Sequence, residues 1–186
     1  MDHEERVILL DEDGSPRGVA PKEGVHHADT PLHLAFSCHV IDERGRILLT
    51  RRALGKVTWP GTWTNAFCGH PQPFEHIPDA VTRRAHQELG LALRGIRLAL
   101  PDFRYRAVDA SGIVENEVCP VYTAVAAGEV HPDPSEAMEH RWVEPADLAG
   151  ALTSAPWAFS PWLVMQAEQM SGAGGEIRPE AWRAAA

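Results

Sequence analysis

The stretch that most constrains this chain is residues 59–91, WPGTWTNAFCGHPQPFEHIPDAVTRRAHQELGL. It opens as a Trp- and Thr-rich strand signal that reaches Phe67-Cys68-Gly69-His70. A proline-containing loop follows, then a helix predicted over residues 78–90, because Pro78 suits a first helical turn and Gly90 a C-terminal cap. Val81, Ala85 and Leu89 recur at four-residue steps and give this helix its buried face, leaving Arg84 and Glu88 together on another. One strand–loop–helix unit thus carries a thiol, an imidazole, a guanidinium and a carboxylate. The fold must bring a strand end and a helix face to one place.

The flanking segments read as partners for this unit. A hairpin is predicted from residues 7–10 and 17–20 across an Asp-Gly turn. Residues 32–41 are largely apolar and read as a buried strand, followed by a second over residues 46–50. Further strands are predicted at residues 96–100, 103–108, 113–125 and 140–143, and helices at 145–152 and 161–170. A Ser-Gly-Ala-Gly-Gly break at residues 171–175 precedes a short Ala-rich tail expected to be loosely held. There is no internal repeat and no sign of a second domain. The expectation is one domain over residues 1–186, α/β (α+β) in class, with a mixed β-sheet sandwiched between helices.

Charge and cysteine content narrow the function. A net charge of −9 argues against nucleic acid and against a membrane surface, both of which call for a positive field. The three cysteines form neither a disulfide framework nor a zinc-finger spacing, which points to a reducing cytoplasm. The N-terminus lacks a basic-then-apolar leader, and no apolar run is long enough to span a bilayer. A small-molecule ligand is the expected partner, with monomer and homodimer both open.

Several residues carry potential chemistry. Glu115 and Glu117 lie two apart on a predicted strand, so both project from one face and repel each other unless a cation or proton lies between them. Taken alone, such a pair reads most simply as a solvent-facing strand edge. His26, His33 and His70 add three imidazoles, and a set of this mixed kind suits Mn, Mg, Fe or Zn. Cys68 stands two residues before His70; a cysteine in an apolar strand is usually inert core, whereas metal-type neighbours would lower its pKa, and Cys38 and Cys119 read as core. Arg51, Arg52 and Lys56 form the densest basic cluster of an acidic chain, with Lys22 and Arg84 as further candidates for a diphosphate clamp. Tyr105 and Trp162 are core or wall residues by default.

The spacing from Gly69 through Glu75 and Arg83 to Glu88, Gly90 and Leu91 resembles the Nudix box, whose glutamates hold divalent metal on a diphosphate for hydrolysis. Arg84 and Gln87 replace two of those glutamates, so the resemblance implies a kept scaffold and a lost hydrolysis. Longer runs resemble the type I isopentenyl-diphosphate isomerase family. They are His26-x-Ala28-Asp29-Thr30-x-Leu32-His33-x-Ala35-Phe36, Thr50-Arg51-Arg52-Ala53, Trp59-Pro60-Gly61-x-Trp63-Thr64-Asn65 and Cys68-Gly69-His70-Pro71. Asp102-Phe103-Arg104-Tyr105-Arg106, Gly112-Ile113-Val114-Glu115-Asn116-Glu117-Val118-Cys119-Pro120 and Pro156-Trp157-Ala158-Phe159-Ser160-Pro161-Trp162 continue the match.

The resemblance implies a Nudix-like fold and an isomerase of isoprenoid biosynthesis that acts on isoprenoid diphosphates. It implies one divalent metal, Mn2+, Mg2+ or Zn2+, held by His26, His33, His70, Glu115 and Glu117. It implies a second ion, Mg2+, carried by the substrate diphosphate and met by Glu88 and the Cys68 carbonyl. Lys22, Arg52, Lys56 and Arg84 would clamp the diphosphate, Glu117 with Tyr105 and the Cys68 thiolate would exchange protons, and Trp162 would face a cationic intermediate. Choosing His26 over its neighbour His27 rests on motif register. A Nudix hydrolase and a non-enzymatic Nudix-like binding protein are the competing classes.

Overall fold

Two strands that cross together from one sheet to another organise the molecule. The computed structural model describes residues 5–172 and 177–183. The segment expected as one strand over residues 32–41 divides at Ala35 into β3 (His33–Leu34) and β4 (Phe36–Ile41). The segment expected over residues 113–125 likewise divides, at Cys119-Pro120, into β10 (Val114–Val118) and β11 (Val121–Ala126). Pro120 has no N–H to give a ladder, so a break falls there naturally. β3 and β10 run parallel in one sheet, β4 and β11 parallel in the other. Across the joint, Ala35 N donates to Val118 O and Ser37 N to Pro120 O, at 2.9 and 3.1 Å.

The first sheet adds β1 (Arg6–Leu10), β2 (Pro16–Pro21) and β9 (Arg104–Val108), in the order β2-β1-β3-β10-β9. The second adds β5 (Ile47–Arg52), β8 (Leu93–Leu100) and β12 (Ala137–Val143), in the order β12-β5-β4-β11-β8. Short strands β6 (Trp63–Thr64) and β7 (Phe67–Gly69) pair with β5 and β4. β4 is buried at all six positions, as expected of a strand covered on both faces. The expected mixed β-sheet architecture with packed helices is present, built as two mixed sheets.

Helix α1 (Ile77–Leu89) lies within one residue of its predicted span, with Gly90 capping it at φ 57°. Ala80, Val81, Ala85 and Leu89 face a core that includes Phe36, Cys38, Leu48 and Phe67. Gly69 lets the helix close on β7: a Cβ there would lie 2.8 Å from Arg84 Cγ and 2.9 Å from Phe36 Cζ. Helices α2 (Pro145–Ser154) and α3 (Pro161–Met170) pack on the opposite side with Ile41, Ile47 and Leu49.

The tail departs from expectation within its described part. Ile177 and Trp182 are buried, and α4 (Glu180–Arg183) rests on the same cluster as α2 and α3. A large indole removed from water, its N–H satisfied by His39 Nδ1 at 3.3 Å, outweighs the poor cohesion of an alanine-rich sequence. Residues 173–176 and 184–186 lie outside the described residues.

Candidate active site

The crossing strands deliver side chains to a cavity of about 550 Å3 between the sheets and α1. In register, Glu117 stands opposite His33 on β3 and opposite Tyr105 on β9, so one row of three strands presents an imidazole, a carboxylate and a phenol. Glu117 Oε1 lies 3.3 Å from both His33 Nε2 and His70 Nε2, and Tyr105 donates to its Oε2 at 3.0 Å. Glu115, two residues earlier on the same face, accepts from Thr58 Oγ1 at 2.6 Å and lies 3.5 Å from His26 Nε2. Both carboxylates are buried, Glu115 at 6% and Glu117 at 4% exposure, so the reading of the pair as a solvent-facing edge is corrected. The face that carries them is closed by the histidines and Tyr105.

His26, His33, His70 and Glu117 bring their ligand atoms within 4.8 Å of one another, and Glu115 adjoins them through His26. The imidazole centroids lie 5.1 to 5.8 Å apart. His26 Nε2, His33 Nε2 and His70 Nδ1 are buried without hydrogen-bond partners, a cost a native interior seldom tolerates. A divalent cation fits this donor set, because imidazole nitrogens and a carboxylate lying within 4.8 Å of one another form a mixed N/O site of the kind such ions take. His26, not His27, turns inward; His27 Nδ1 instead accepts from the backbone N–H of Asp29.

The electrostatics divide the histidines. Burial would lower the pKa of His33, but its contact with Glu117 raises it, whereas burial wins at His70 and takes it down to about 4. Burial opposes the charge of Glu117, yet the two histidines hold its carboxyl well below the usual range. Burial raises Tyr105 well above an ordinary phenol, with Glu115 and Glu117 adding to it, so it remains a donor.

Cys68 reaches the same cavity from β7, in the other sheet. Its Sγ lies 3.1 Å from Ser37 Oγ and 3.5 Å from Asn65. Burial pushes the thiol up to about 12, and the negative Glu117 adds to this. The expected lowering by metal-type neighbours is therefore not a property of the protein groups alone. Cys38 and Cys119 are fully buried, as expected.

At the other end of the cavity Lys22, Arg52, Lys56 and Arg84 all line the wall. Lys22 pairs with Glu5 and Lys56 with Glu136, while Arg84 reaches Glu88, Glu5 and Glu136. Burial works against Arg84's charge, but these acids raise its pKa above the ordinary value; burial likewise raises Glu88, against the pull of Arg84. Arg52 has no carboxylate partner among the described residues; it donates to Thr58 O through Nε and Nη2 and lies 5.4 Å from the Trp162 ring. Arg51 turns away to Gly61 O and Glu139. Trp162 is 2% exposed, donates to Asn65 Oδ1 at 3.0 Å, and presents its ring beside Tyr105.

The residues singled out for chemistry from the sequence thus line one cavity, except Arg51, which turns away from it, and His33, which lies beneath its surface against Glu117. Sequence reasoning missed Thr58, Glu5 and Glu136, which partner the basic side chains of the cavity, and Asn65 and Ser37, which partner Cys68. Thr58 and Asn65 lie in or beside the organising stretch, and Asn65 closes one of its motifs. Glu5, Ser37 and Glu136 gave no local signal.

Residues 31–163 match the NUDIX domain family. The isopentenyl-diphosphate Delta-isomerase of Clavibacter michiganensis subsp. michiganensis is 63% identical over 164 residues, covering 88% of this chain and 84% of its own. That of Agromyces mediolanus is 61% identical, covering 95% and 88%. Among solved structures, a protein from Deinococcus radiodurans superimposes with a TM-score of 0.62 at 16% identity over 81% of this chain and 90% of its own, a likeness of fold alone. A MutT NUDIX hydrolase from Burkholderia pseudomallei gives 0.55 at 26% identity, covering 72% and 94%. On the strength of the isomerase relatives and the domain match, the chain belongs to the isopentenyl-diphosphate Delta-isomerases, a branch of the NUDIX family.

Proposed function

We propose that the cavity interconverts isopentenyl diphosphate and dimethylallyl diphosphate, with Glu117 and Cys68 as the two proton-exchanging groups. The observation that carries this reading is that a carboxylate and a thiol reach one buried cavity from different sheets, beside four cations suited to a diphosphate. The reaction adds a proton to the terminal methylene of an unactivated alkene and removes one from the allylic carbon, through a tertiary carbocation. It needs an acid, a base and a wall that excludes water.

Glu117, hydrogen-bonded to Tyr105, delivers the proton to the methylene, and Cys68 takes the allylic proton. The pair shares one transferable proton, on Glu117 before the forward step and on Cys68 after it. The resting arrangement, thiol on Cys68 and carboxylate on Glu117, is the state from which the reverse reaction starts, and exchange with solvent resets it. Trp162 offers its π-face to the cation. Lys22, Arg52, Lys56 and Arg84 hold the diphosphate.

His26, His33, His70, Glu115 and Glu117 would hold a divalent ion, Mn2+, Mg2+ or Zn2+, which supplies positive charge and fixes its ligands in place. We assign Mg2+ to the substrate diphosphate, near Glu88 and the Cys68 carbonyl. Among the described residues no helix is long and apolar enough to cross a membrane. The cytoplasm is the assigned compartment, where three free cysteines stay reduced. The test is incubation with isopentenyl diphosphate and Mg2+: dimethylallyl diphosphate without phosphate release supports isomerisation, and release of phosphate supports hydrolysis instead.

A further inference from the structure

Ser37 is fully buried on β4, directly opposite Cys68 in the β4–β7 pairing, and belongs to neither the ligand set nor the clamp. Its Oγ lies 3.1 Å from Cys68 Sγ. Which of the two atoms donates follows from the far end of a chain of buried side chains. The indole Nε1 of Trp182 only donates, and it lies 3.3 Å from His39 Nδ1, so Nδ1 accepts. Burial takes His39 down to about 4, so its ring is neutral and its proton sits on Nε2, 2.9 Å from Gln166 Oε1. The Gln166 amide is thereby oriented, and its Nε2 donates to Ser37 Oγ at 2.8 Å. Ser37 Oγ accepts from Gln166 and, at 3.6 Å, from the Cys119 thiol, which uses both its acceptor sites, so its hydroxyl hydrogen turns to the nearer Cys68 sulfur. Asn65 Nδ2 is the other donor near the sulfur, but its hydrogens are engaged by Cys38 O and Phe67 O at 3.0 and 2.8 Å.

We propose that Ser37 is a positioning residue for Cys68, held in its donating orientation by Gln166, His39 and Trp182. Every group in the chain donates toward the sulfur, so the arrangement has one direction. It fixes where the sulfur's lone pairs point within the cavity, and it ties the buried C-terminal indole to the reacting end of the molecule. The inference rests on the reading of Cys68 given under the proposed function.

The experiment is steady-state isomerisation kinetics with divalent metal present, together with alkylation of Cys68 by iodoacetamide followed by mass spectrometry. Ser37→Ala is expected to lower kcat about tenfold, the worth of one hydrogen bond to a reacting group, with KM within about twofold. Alkylation of Cys68 is expected to slow in parallel. Ser37→Thr, which keeps the hydroxyl, is expected to recover most of the lost kcat. Gln166→Glu offers a carboxylate oxygen that captures the Ser37 hydrogen, and is expected to lower kcat as Ser37→Ala does. Trp182→Phe removes only the first donor and guards against variants that fail to fold. Cys68→Ala is the reference. Wild-type kcat and alkylation in folded Ser37→Ala or Gln166→Glu, with Cys68→Ala inactive, would overturn the positioning role and leave the proposed function standing. An active Cys68→Ala would remove both.

Discussion

Glu117 and His33 are register partners on adjacent parallel strands, with Glu117 Oε1 3.3 Å from His33 Nε2. Register fixes this contact, so both ends of the pair are preorganised before any ion or substrate arrives. A one-residue slip of β10 would turn Glu117 out of the site and Asn116 into it.

Metal binding is read through stability. The imidazoles and Glu117 are brought together only by folding, so an ion held by them would bind the folded state alone. An ion at one hundred times its dissociation constant stabilises by about 2.7 kcal/mol, or roughly 5–10 °C in Tm for a domain of this size. Adding Mn2+ or Zn2+ to chelator-treated protein is expected to raise Tm by this amount, and His33→Ala is expected to abolish the rise. An equal rise in His33→Ala would place the ion elsewhere.

Arg52→Ala tests the clamp. Arg52 is the clamp cation without a carboxylate partner among the described residues, so its charge is the most available to an incoming diphosphate. Losing a charge-assisted contact of about 1.5–3 kcal/mol is expected to raise KM roughly tenfold or more, with little change in kcat. An unchanged KM would argue against the assignment.

Gly69→Ala tests the closeness of helix and strand. The added methyl meets Arg84 Cγ and Phe36 Cζ at under 3 Å, and the overpacking is expected to cost about 1–3 kcal/mol in a denaturant titration. Because Arg84 must shift, KM should rise as well. Wild-type stability and KM together would show that the contact relaxes freely.

His39 makes stability depend on pH. Burial holds its folded pKa near 4, whereas in the unfolded chain it titrates near 6.5, so between these values the unfolded state binds the extra proton. Its contribution is complete above about pH 6.5 and is lost as pH falls toward 4, up to about 3 kcal/mol. A proton on Nδ1 would also face the Trp182 N–H donor to donor. His39→Gln is expected to weaken the fall in Tm between pH 7 and pH 5. The same fall in both proteins would exclude His39 as its source.

Most of the site was expected only through the family resemblance that its short motifs carry. Glu115 and Glu117 share a face by strand alternation alone, and α1 was bounded by a proline and a glycine. The break at Ala35 was not legible, because apolar content runs straight through it; the break at Pro120 was marked by the proline, but only long-range pairing assigns each half to its sheet. The support of Cys68 was equally hidden: His39 and Gln166 are 127 residues apart and Trp182 is 143 from His39. The buried tail escaped notice because one indole overrode an otherwise weakly cohesive segment.

The most direct test is an NMR time course with isopentenyl diphosphate and Mg2+ in heavy water, run on wild type, Cys68→Ala and Glu117→Gln with phosphate release monitored. Proton exchange through Glu117 and Cys68 requires dimethylallyl diphosphate carrying deuterium in a methyl group, no phosphate, and loss of turnover in both folded variants. Phosphate in place of the isomer, or near-normal turnover in either variant, would contradict it.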